Sequence, residues 1–156
     1  MIRASTIIRR GEIDTDRIVD VITLDHGDRH RRRIALRADG GTDFLLDLPQ
    51  ADVLHDGDAI LLETGWLIEV RASTEKVVEV RAKSDLDLLT LAWHIGNRHV
   101  PAEITPDALY ILYDHVLVDM LKAQGASTTI IERPFSPVRG AYHHHGEADL
   151  HGHSHD

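Results

Sequence analysis

The second half of the chain alternates between strand-like and helix-like spacing of apolar residues. The order of these segments restricts the fold more than any other feature of the sequence. Residues 76–81 (KVVEVR) are β-branched and typical of a strand. Ser84 then fits a helix cap and is followed by carboxylates that favour the positive end of a helix dipole. Four apolar residues next repeat at the spacing of one helix face: Leu88, Leu91, Ala92 and Ile95. We expect Gly96 and Asn97 to end this helix, because both tolerate the left-handed conformation.

Further strands and a second helix are predicted after residue 101. Residues 102–105 predict a short strand and residues 109–113 predict another, separated by a turn at residues 106–107. Asp114 is expected to cap a second helix that Gly125 ends. Its shared face contains four residues: Leu117, Met120, Leu121 and Gln124. Residues 127–132 predict a last strand, so the order is β-α-β-β-α-β, which is the ferredoxin-like arrangement.

The first half of the chain lacks helical periodicity. Turn signals separate at least five short strand-like runs, which are residues 18–24, 33–37, 44–48, 59–62 and 66–70. The sequence therefore predicts an α+β protein with an N-terminal all-β domain over residues 1–72. A ferredoxin-like domain follows over residues 76–140.

One charged stretch interrupts the β domain at residues 25–33 (DHGDRHRRR). It can be interpreted as a basic patch for a partner or as a pair of histidines for a metal. The simpler interpretation, which we favour, is a solvated hairpin tip between two strands. His55 lies in another turn and is expected to be an exposed loop residue.

Charge and composition exclude several classes of function. The net charge of −9 disfavours nucleic-acid binding, and the absence of cysteine excludes thiolate nucleophiles and zinc–thiolate sites. No apolar run approaches the roughly 18 residues that a membrane span needs. The chain also lacks metalloprotease, phosphate-loop and serine-elbow motifs. We therefore expect a cytoplasmic protein that is not an enzyme.

Histidine is concentrated at the C-terminus. The last fourteen positions hold half of the twelve histidines, which are His143, His144, His145, His151, His153 and His155. Interrupted histidine tracts of this kind indicate metal binding, either native or engineered; residues 146–150 break the run, unlike an expression tag. From about Phe135 onward the chain is poor in apolar residues, so we expect a flexible tail to begin there, with residues 141–156 as its histidine-rich part, and to be disordered without metal.

Several motifs together resemble the urease accessory protein family UreE. They are residues 96–101 (GNRHVP), 113–121 (YDHVLVDML), 134–137 (PFSP) and 140–142 (GAY) leading into the histidine-rich tail. Residues 47–50 (DLPQ) through 68–70 (IEV) look like the N-terminal domain of the same family. The resemblance covers essentially the whole chain.

This resemblance implies a homodimeric nickel metallochaperone. It implies a peptide-binding-like β domain and a ferredoxin-like metal-binding domain, with the motif histidine of each subunit meeting its mate at the two-fold axis. That histidine is His99 here. The resemblance further implies delivery of Ni(II) to the urease apoprotein through a complex with the accessory GTPase UreG.

The residue chemistry is consistent with that expectation. Imidazole binds nickel, copper and zinc, so Zn(II) or Cu(II) could compete for the same ligands. One histidine per chain is a partial site, which a two-fold axis doubles and the tail histidines can complete. Asn97 and Arg98 are expected to position the loop that aims His99. The alternative for His99 itself is a capping or core role at the helix end.

Two other histidines lie near this motif. Some family members have a histidine at the position of Tyr113, which would pair with His115 in a second site. With tyrosine there, His115 is either a weak ligand or an exposed residue of the first helical turn. His94 is expected to be a partly buried helix residue.

Two other functions fit the same sequence. One is general storage or buffering of nickel and zinc by the tail. The other is a peptide-binding co-chaperone module, for which residues 1–72 would suffice. Binding through imidazole should weaken below about pH 6.5, where free imidazole becomes protonated.

Overall fold

The computed structural model describes residues 1–140. These residues form ten β-strands and two α-helices. The strands make two sheets, one from each half of the chain. This is the predicted α+β fold class, with a curled β sheet followed by an α+β unit. The histidine-rich tail that was predicted over residues 141–156 lies outside the described residues.

The first sheet has six strands. They are β1 (Ile2–Ile8), β2 (Ile18–Leu24), β3 (His30–Arg37), β4 (Asp43–Val53), β5 (Ala59–Leu62) and β6 (Leu67–Ala72), in the order β2-β6-β5-β1-β4-β3. A single 3₁₀ turn, Thr15–Arg17, precedes β2. The β1–β4 and β2–β6 pairs are parallel, and the other three pairs are antiparallel.

Two elements of this sheet depart from the sequence prediction. Strand β1 was not predicted, because Ala4 is its only buried residue and its apolar pattern is correspondingly weak. Pairing with β4 and β5 on both sides nevertheless places it in the middle of the sheet. Strand β4 runs past the predicted end at Leu48 and through Pro49, where the pairing with β3 shifts register and tolerates a residue without an N–H.

The β3–β4 turn at one edge of this sheet is tied to β2 at the other edge. The Asp20 carboxylate of β2 accepts from the backbone N–H groups of Gly40 (2.8 Å) and Thr42 (3.2 Å), and from the Thr42 hydroxyl (2.7 Å). A Cβ on Gly40 would lie 2.7 Å from the Asp20 Oδ1, so the close approach requires glycine. Buried residues from five of the six strands fill the core inside this curl, and Ile34 and Leu36 of β3 pack against it partly buried. Among the largest buried residues are Phe44, Leu46, Leu54, Ile60 and Ile68.

The second sheet has four antiparallel strands and carries both helices. Its elements are β7 (Glu75–Arg81), α1 (Asp85–Asn97), β8 (Glu103–Ile104), β9 (Leu109–Leu112), α2 (His115–Ala123) and β10 (Ser127–Arg133). The strand order is β10-β7-β9-β8, which confirms the ferredoxin-like arrangement. Apolar residues of both helices pack on one face of the sheet, around Leu91, Ile95, Val118 and Leu121.

The opposite face of the second sheet is covered by residues 134–140, which we call the strap. Phe135 is fully buried there against Val77, Ala108 and Tyr110. The prediction that a flexible tail begins at about Phe135 is therefore wrong. The aromatic ring buries enough apolar surface to order a segment that is otherwise rich in proline and glycine.

The loop at residues 25–29 is also different from the predicted solvated tip. Arg29 is 2% exposed, and its guanidinium donates to the Phe135 carbonyl oxygen of the strap. His26 is half-buried, and its Nδ1 lies 2.7 Å from the Glu75 Oε1 of β7. The loop is thus packed between the two sheets. His55, by contrast, is exposed in its turn as predicted.

Candidate metal centre

The helix that leads to His99 begins as the sequence predicted. The Ser84 hydroxyl oxygen accepts from the Asp87 backbone N–H at 3.1 Å and caps the first turn of α1. Leu91 and Ile95 are buried on the predicted face, and Leu88 and Ala92 pack beside them. The buried face fixes the rotation of the helix about its axis, which determines where its C-terminal end points.

The end of α1 differs from the prediction. Gly96 and Asn97 remain helical, and Arg98 is the C-cap. The left-handed residue is His99, with φ of 56°. The His99 N–H donates to the Gly96 carbonyl oxygen (3.0 Å), and the Val100 N–H donates to the Ile95 carbonyl oxygen (3.3 Å). This pair of bonds is a Schellman motif, which satisfies two carbonyl groups at the helix end.

His99 is therefore held in a conformation that an L-residue adopts at a cost. Among the described non-glycine residues it alone has a positive φ. The left-handed region costs a residue with a Cβ about 1–2 kcal/mol. Helix α2 ends in the same motif with Gly125 at the equivalent position, φ 88°, which avoids that cost. Strain of this kind at a single exposed side chain indicates a functional position.

The surroundings of His99 leave its ring accessible. The residue is exposed, whereas Val100 after it packs into the helix-side core. Arg98 Nη1 donates to the His94 carbonyl oxygen at 3.1 Å, which closes the last turn from the outside. His94 is half-buried beside Trp93, as predicted for a partly buried helix residue. A core role for His99 is excluded, since its side chain faces solvent.

The second histidine near this site is His115. It is the first residue of α2 and is exposed. Asp114 caps the helix as predicted, with its carboxylate accepting from Val116 N–H at 2.9 Å. Lys76 lies over the ring of Tyr113 at 4.3 Å, so the tyrosine at this position stacks with a cation. The two helices are antiparallel in a ferredoxin-like unit, so the start of α2 lies at the same end of the domain as the end of α1.

Within residues 1–140, no three histidine, aspartate or glutamate side chains are grouped closely enough to hold a metal ion together. His99 thus offers one imidazole per chain, and the remaining ligands of any metal ion must come from elsewhere. The tail histidines that the sequence singled out, His143, His144, His145, His151, His153 and His155, lie outside the described residues.

The strap is hydrogen-bonded to the segment that follows the His99 loop. The Val138 N–H donates to the Ala102 carbonyl oxygen at 2.8 Å, and Ala102 is three residues after His99. The Ser136 N–H donates to Glu103 Oε1 at 2.9 Å, and Arg133 donates to the other oxygen of the same carboxylate at 2.8 Å. Glu103 therefore joins β10 and the strap to the strand that follows the His99 loop.

Burial shapes the electrostatics on this side of the sheet. Burial lowers the pKa of Arg29, and burial together with the neighbouring charge of Arg29 lowers the pKa of Arg139. Burial also raises the pKa of Tyr110, whose hydroxyl donates to Glu79. A hydrogen bond from Arg81 is the first cause that lowers the pKa of Glu79.

An exposed apolar stripe runs along α1 toward the same end. Leu86, Leu89 and Trp93 are 72%, 68% and 62% exposed, and their spacing places them on one side of the helix, away from its buried face. Val116 at the start of α2 is 63% exposed. Large apolar side chains grouped in this way mark an interaction surface rather than ordinary solvent-facing helix.

Sequence reasoning missed the residues that hold the strap. Arg29 was predicted to lie in a solvated loop. Residues 29–33 are rich in arginine, and their local sequence does not distinguish a buried arginine from an exposed one. The one available signal was Phe135, a large aromatic residue between two prolines in a segment with few other apolar residues. A large aromatic side chain in such a segment is either buried against the rest of the protein or exposed to water, which is unfavourable.

The structure is thus a curled β sheet followed by a ferredoxin-like unit that carries one exposed histidine with a positive φ. The family models for the N-terminal and C-terminal domains of the UreE urease accessory protein match residues 4–73 and 75–156. The chain belongs to this UreE family, and its role is that of an accessory chaperone in urease maturation.

Curated relatives support the same assignment. The urease accessory protein UreE of Azorhizobium caulinodans is 52% identical over 98% of this chain and 76% of the relative. That of Chelativorans sp. is 51% identical over the full chain and 98% of the relative. That of Agrobacterium fabrum is 47% identical over 86% of the chain and 81% of the relative. The family is named for an accessory role to urease and not for a reaction of its own.

An accessory role implies contact with the urease machinery. Among the helices in residues 1–140, neither is long and apolar enough to cross a membrane.

Proposed function

We propose that the chain carries Ni(II) as a cytoplasmic homodimer and delivers it for assembly of the urease active site, in complex with the accessory GTPase UreG and the urease apoprotein. The observation that carries the proposal is His99, an exposed imidazole held at φ 56° where glycine would be less strained. The urease accessory role of the family supports nickel as the cargo.

The donor set fits nickel. Imidazole is a ligand for nickel, copper and zinc, and the sequence has no cysteine to select a softer metal. Because one histidine cannot hold the ion alone, a two-fold axis would bring His99 of each protomer to the same ion. Zn(II) and Cu(II) compete for such a site, since both prefer imidazole as well.

The stripe of Leu86, Leu89 and Trp93 supports dimer formation at this end of the domain. Burial of a side chain of this size stabilises an interface by about 2 kcal/mol. The stripe lies on helix α1, which ends two residues before His99, so a partner packed against Trp93 near that end would be close to the imidazole. We propose that this surface is part of the dimer interface.

The tail can supply the remaining ligands from the same protomer. His143 follows Val138 by five residues, and a chain of this length spans at most about 17 Å. His99 precedes Ala102, to which Val138 is bonded, by three residues, or at most about 10 Å. Chain length therefore allows the first tail histidines to reach His99. His115 at the same end of the domain is a weaker candidate ligand.

The test is a nickel titration of four proteins: the full chain and a chain truncated after Gly140, each with and without His99→Ala. The truncated protein should keep one tight site per dimer, and His99→Ala should remove it. The full chain should bind additional ions. Retention of the tight site in the truncated His99→Ala protein would exclude His99.

A storage protein and a carrier differ in where the ions are held and in what receives them. Storage requires only the tail, so a storage protein would lose nearly all of its nickel on truncation. Transfer of nickel from the truncated dimer to urease apoprotein in the presence of UreG would favour the carrier.

A further inference from the structure

The two sheets have four edge strands, and three of them are protected against pairing with another chain. Strand β8 has only two residues and lies beside the strap, whose Val138 N–H donates to the Ala102 carbonyl oxygen. Strand β2 is bonded on its free side by the β3–β4 turn, since the Asp39 N–H donates to the Val21 carbonyl oxygen at 2.7 Å. Strand β3 has a register shift and exposes several arginines, which are Arg31, Arg32, Arg33 and Arg37. Short length, a covering segment, an irregular register and charge all protect the edge of a sheet.

Strand β10 (Ser127–Arg133) is the fourth edge, and within residues 1–140 it lacks these protections. All seven of its residues pair with β7 in one unbroken register. Four of the seven are exposed, including Ile130 at the centre of the strand, which is 52% exposed. Residues 128–131 (TTII) are consecutive β-branched side chains, which favour an extended strand, and charge occurs only at residues 132–133.

The neighbouring strands identify which backbone groups of β10 point outward. The Tyr113 N–H donates to the Lys76 carbonyl oxygen at 3.0 Å, so the backbone groups of Lys76 point toward β9. Backbone direction alternates along a strand, so residues 75, 77, 79 and 81 of β7 bond instead to residues 133, 131, 129 and 127 of β10. The N–H and C=O groups of Thr128, Ile130 and Glu132 therefore point away from the sheet, and no described residue bonds to them.

These three residues are complementary to the same three residues of a second chain that runs in the opposite direction. In an antiparallel pair of two β10 strands centred on Ile130, the outward groups of Ile130 face those of Ile130 in the second copy. Those of Thr128 face those of Glu132 in the second copy, and each facing pair exchanges two hydrogen bonds. A two-fold axis then passes between the two Ile130 residues, and all seven residues of each strand are paired.

The side chains are compatible with this register and not with its neighbours. The two exposed Ile130 side chains lie on the same face of the joined sheet and bury each other. Glu132 lies opposite Thr128 and Arg133 lies opposite Ser127, so no two like charges are opposed. A pair centred on Glu132 would oppose two carboxylates, and a pair centred on Thr128 would leave the last residues of the strand unpaired.

We propose that β10 is a contact surface for a second copy of this chain, through which the four strands of each copy join into one continuous antiparallel sheet. This contact is separate from the one proposed above for Leu86, Leu89 and Trp93, which lie on α1, and it requires no metal ion. An edge of seven residues is a small interface, so association is reversible and increases with protein concentration. Where the α1 contact also forms, two dimers join through β10 into an assembly of four chains.

Sedimentation equilibrium of the metal-free full chain at increasing concentration tests the contact. Ile130→Lys places two ammonium groups opposite each other at the axis, so association through β10 should weaken by about tenfold or more. Val19→Lys is the matched control, because Val19 is a β-branched residue of the edge strand β2 with a similar exposure of 51%, and it should change nothing. Equal association of the Ile130→Lys variant and the unsubstituted protein would overturn the proposal.

Leu89→Lys distinguishes the two contacts. It should remove the contact through α1 only, so the variant should still form dimers through β10 at high concentration, and the double variant with Ile130→Lys should be monomeric. A monomer–dimer equilibrium of the unsubstituted protein that Ile130→Lys removes and Leu89→Lys does not would contradict the α1 contact and support the contact through β10.

Single cysteine variants report the register, because the sequence has no cysteine of its own. In the proposed pair the Cα atoms of the two residues at position 130 lie about 5.5 Å apart, which is within the range of a disulfide. Oxidation should therefore link two copies of the Ile130→Cys variant. Glu132→Cys is the control, since position 132 lies opposite Thr128 and not opposite its own copy. Equal linking of both variants would contradict the register.

Amide hydrogen exchange tests the contact without substitution. The N–H groups of Thr128, Ile130 and Glu132 should exchange rapidly at low protein concentration and slowly at high concentration. Those of Thr129 and Ile131 bond to β7 and should be protected at both concentrations. Slow exchange of the outward groups at every concentration would mean that another part of the same chain covers the edge, and rapid exchange at every concentration would mean that the edge stays free. Either result would overturn the proposal.

Discussion

His99 and Gly125 occupy the same position in the same helix-ending motif, one after each helix of the ferredoxin-like unit. Both have a positive φ, 56° and 88°, and both donate a backbone N–H to the third carbonyl before them. Only the glycine is free of the steric cost of that conformation. The fold therefore favours glycine at this position, and backbone conformation does not explain the imidazole of His99.

His99→Gly should stabilise the metal-free protein by about 1 kcal/mol relative to His99→Ala, because alanine retains the strained backbone and glycine does not. Both substitutions remove the imidazole, so both should abolish the tight nickel site of the truncated protein. Urea denaturation and nickel titration measure the two effects separately.

Gly125→Ala is the matched control. A Cβ at Gly125 meets nothing within 4 Å, so the cost is conformational alone, about 1 kcal/mol, and nickel affinity should be unchanged. Equal stability of the glycine and alanine variants at position 99 would show that the left-handed conformation there is not strained.

Charge on the exposed stripe of α1 should disrupt the dimer. Leu89→Lys places an ammonium group on a surface that we propose is buried between protomers, and an unpaired buried charge is strongly unfavourable. We expect the dimer to dissociate at least tenfold more readily, as measured by sedimentation equilibrium. Thr129→Lys, on the exposed part of β10, should leave the dimer intact. A monomeric unsubstituted protein would exclude this interface.

The order of elements in the second half was predictable because helix and strand periods alternate there with strong caps. Ser84, Asp114 and Gly125 all act as their residue types suggest. The exact helix end was not predictable, since Gly96 and Asn97 were better candidates for the left-handed position than His99. Packing of Val100 into the core determines which residue reverses the chain, and packing is not visible in local sequence.

The contacts between distant parts of the chain were also beyond the sequence. Arg29 and Phe135 are 106 positions apart, and nothing in the local pattern of either residue predicts their bond. His99, by contrast, could be singled out from its motif and from the histidines at the C-terminus. The candidate histidine was predictable from the sequence, whereas the packing of the strap against both sheets was not.

Nickel affinity should fall on acidification. An imidazole binds metal only when it is neutral, so protons and nickel compete for each histidine ligand. Affinity should decrease between pH 7.5 and pH 5.5, and more steeply for the full chain than for the truncated one, since the full chain uses more histidines per ion. Constant affinity over this range, measured by calorimetry, would exclude imidazole as the dominant ligand.

The hydrogen bonds to the Asp20 carboxylate in the first sheet should make the free energy of unfolding depend on pH in the acidic range. The hydrogen bond from the Thr42 hydroxyl, followed by backbone N–H groups of Val21, Gly40 and Thr42, holds the pKa of Asp20 below its ordinary value. A carboxylate whose pKa is lowered in the folded state stabilises the protein when the pH is above the carboxyl pKa of the unfolded chain, about 3.9. This stabilisation is lost as the pH falls through the lowered pKa of the folded state.

Asp20→Ala should therefore lower the free energy of unfolding by about 2 kcal/mol at pH 7, because several hydrogen bonds to a charged acceptor are lost together. The difference from the unsubstituted protein should shrink as the pH falls below about 4. Thr42→Val removes the hydroxyl and leaves the backbone donors, so it should have a smaller effect with the same dependence on pH. Urea denaturation at several pH values measures all three proteins, and a difference that does not change with pH would mean that the Asp20 charge contributes nothing to the curl of the sheet.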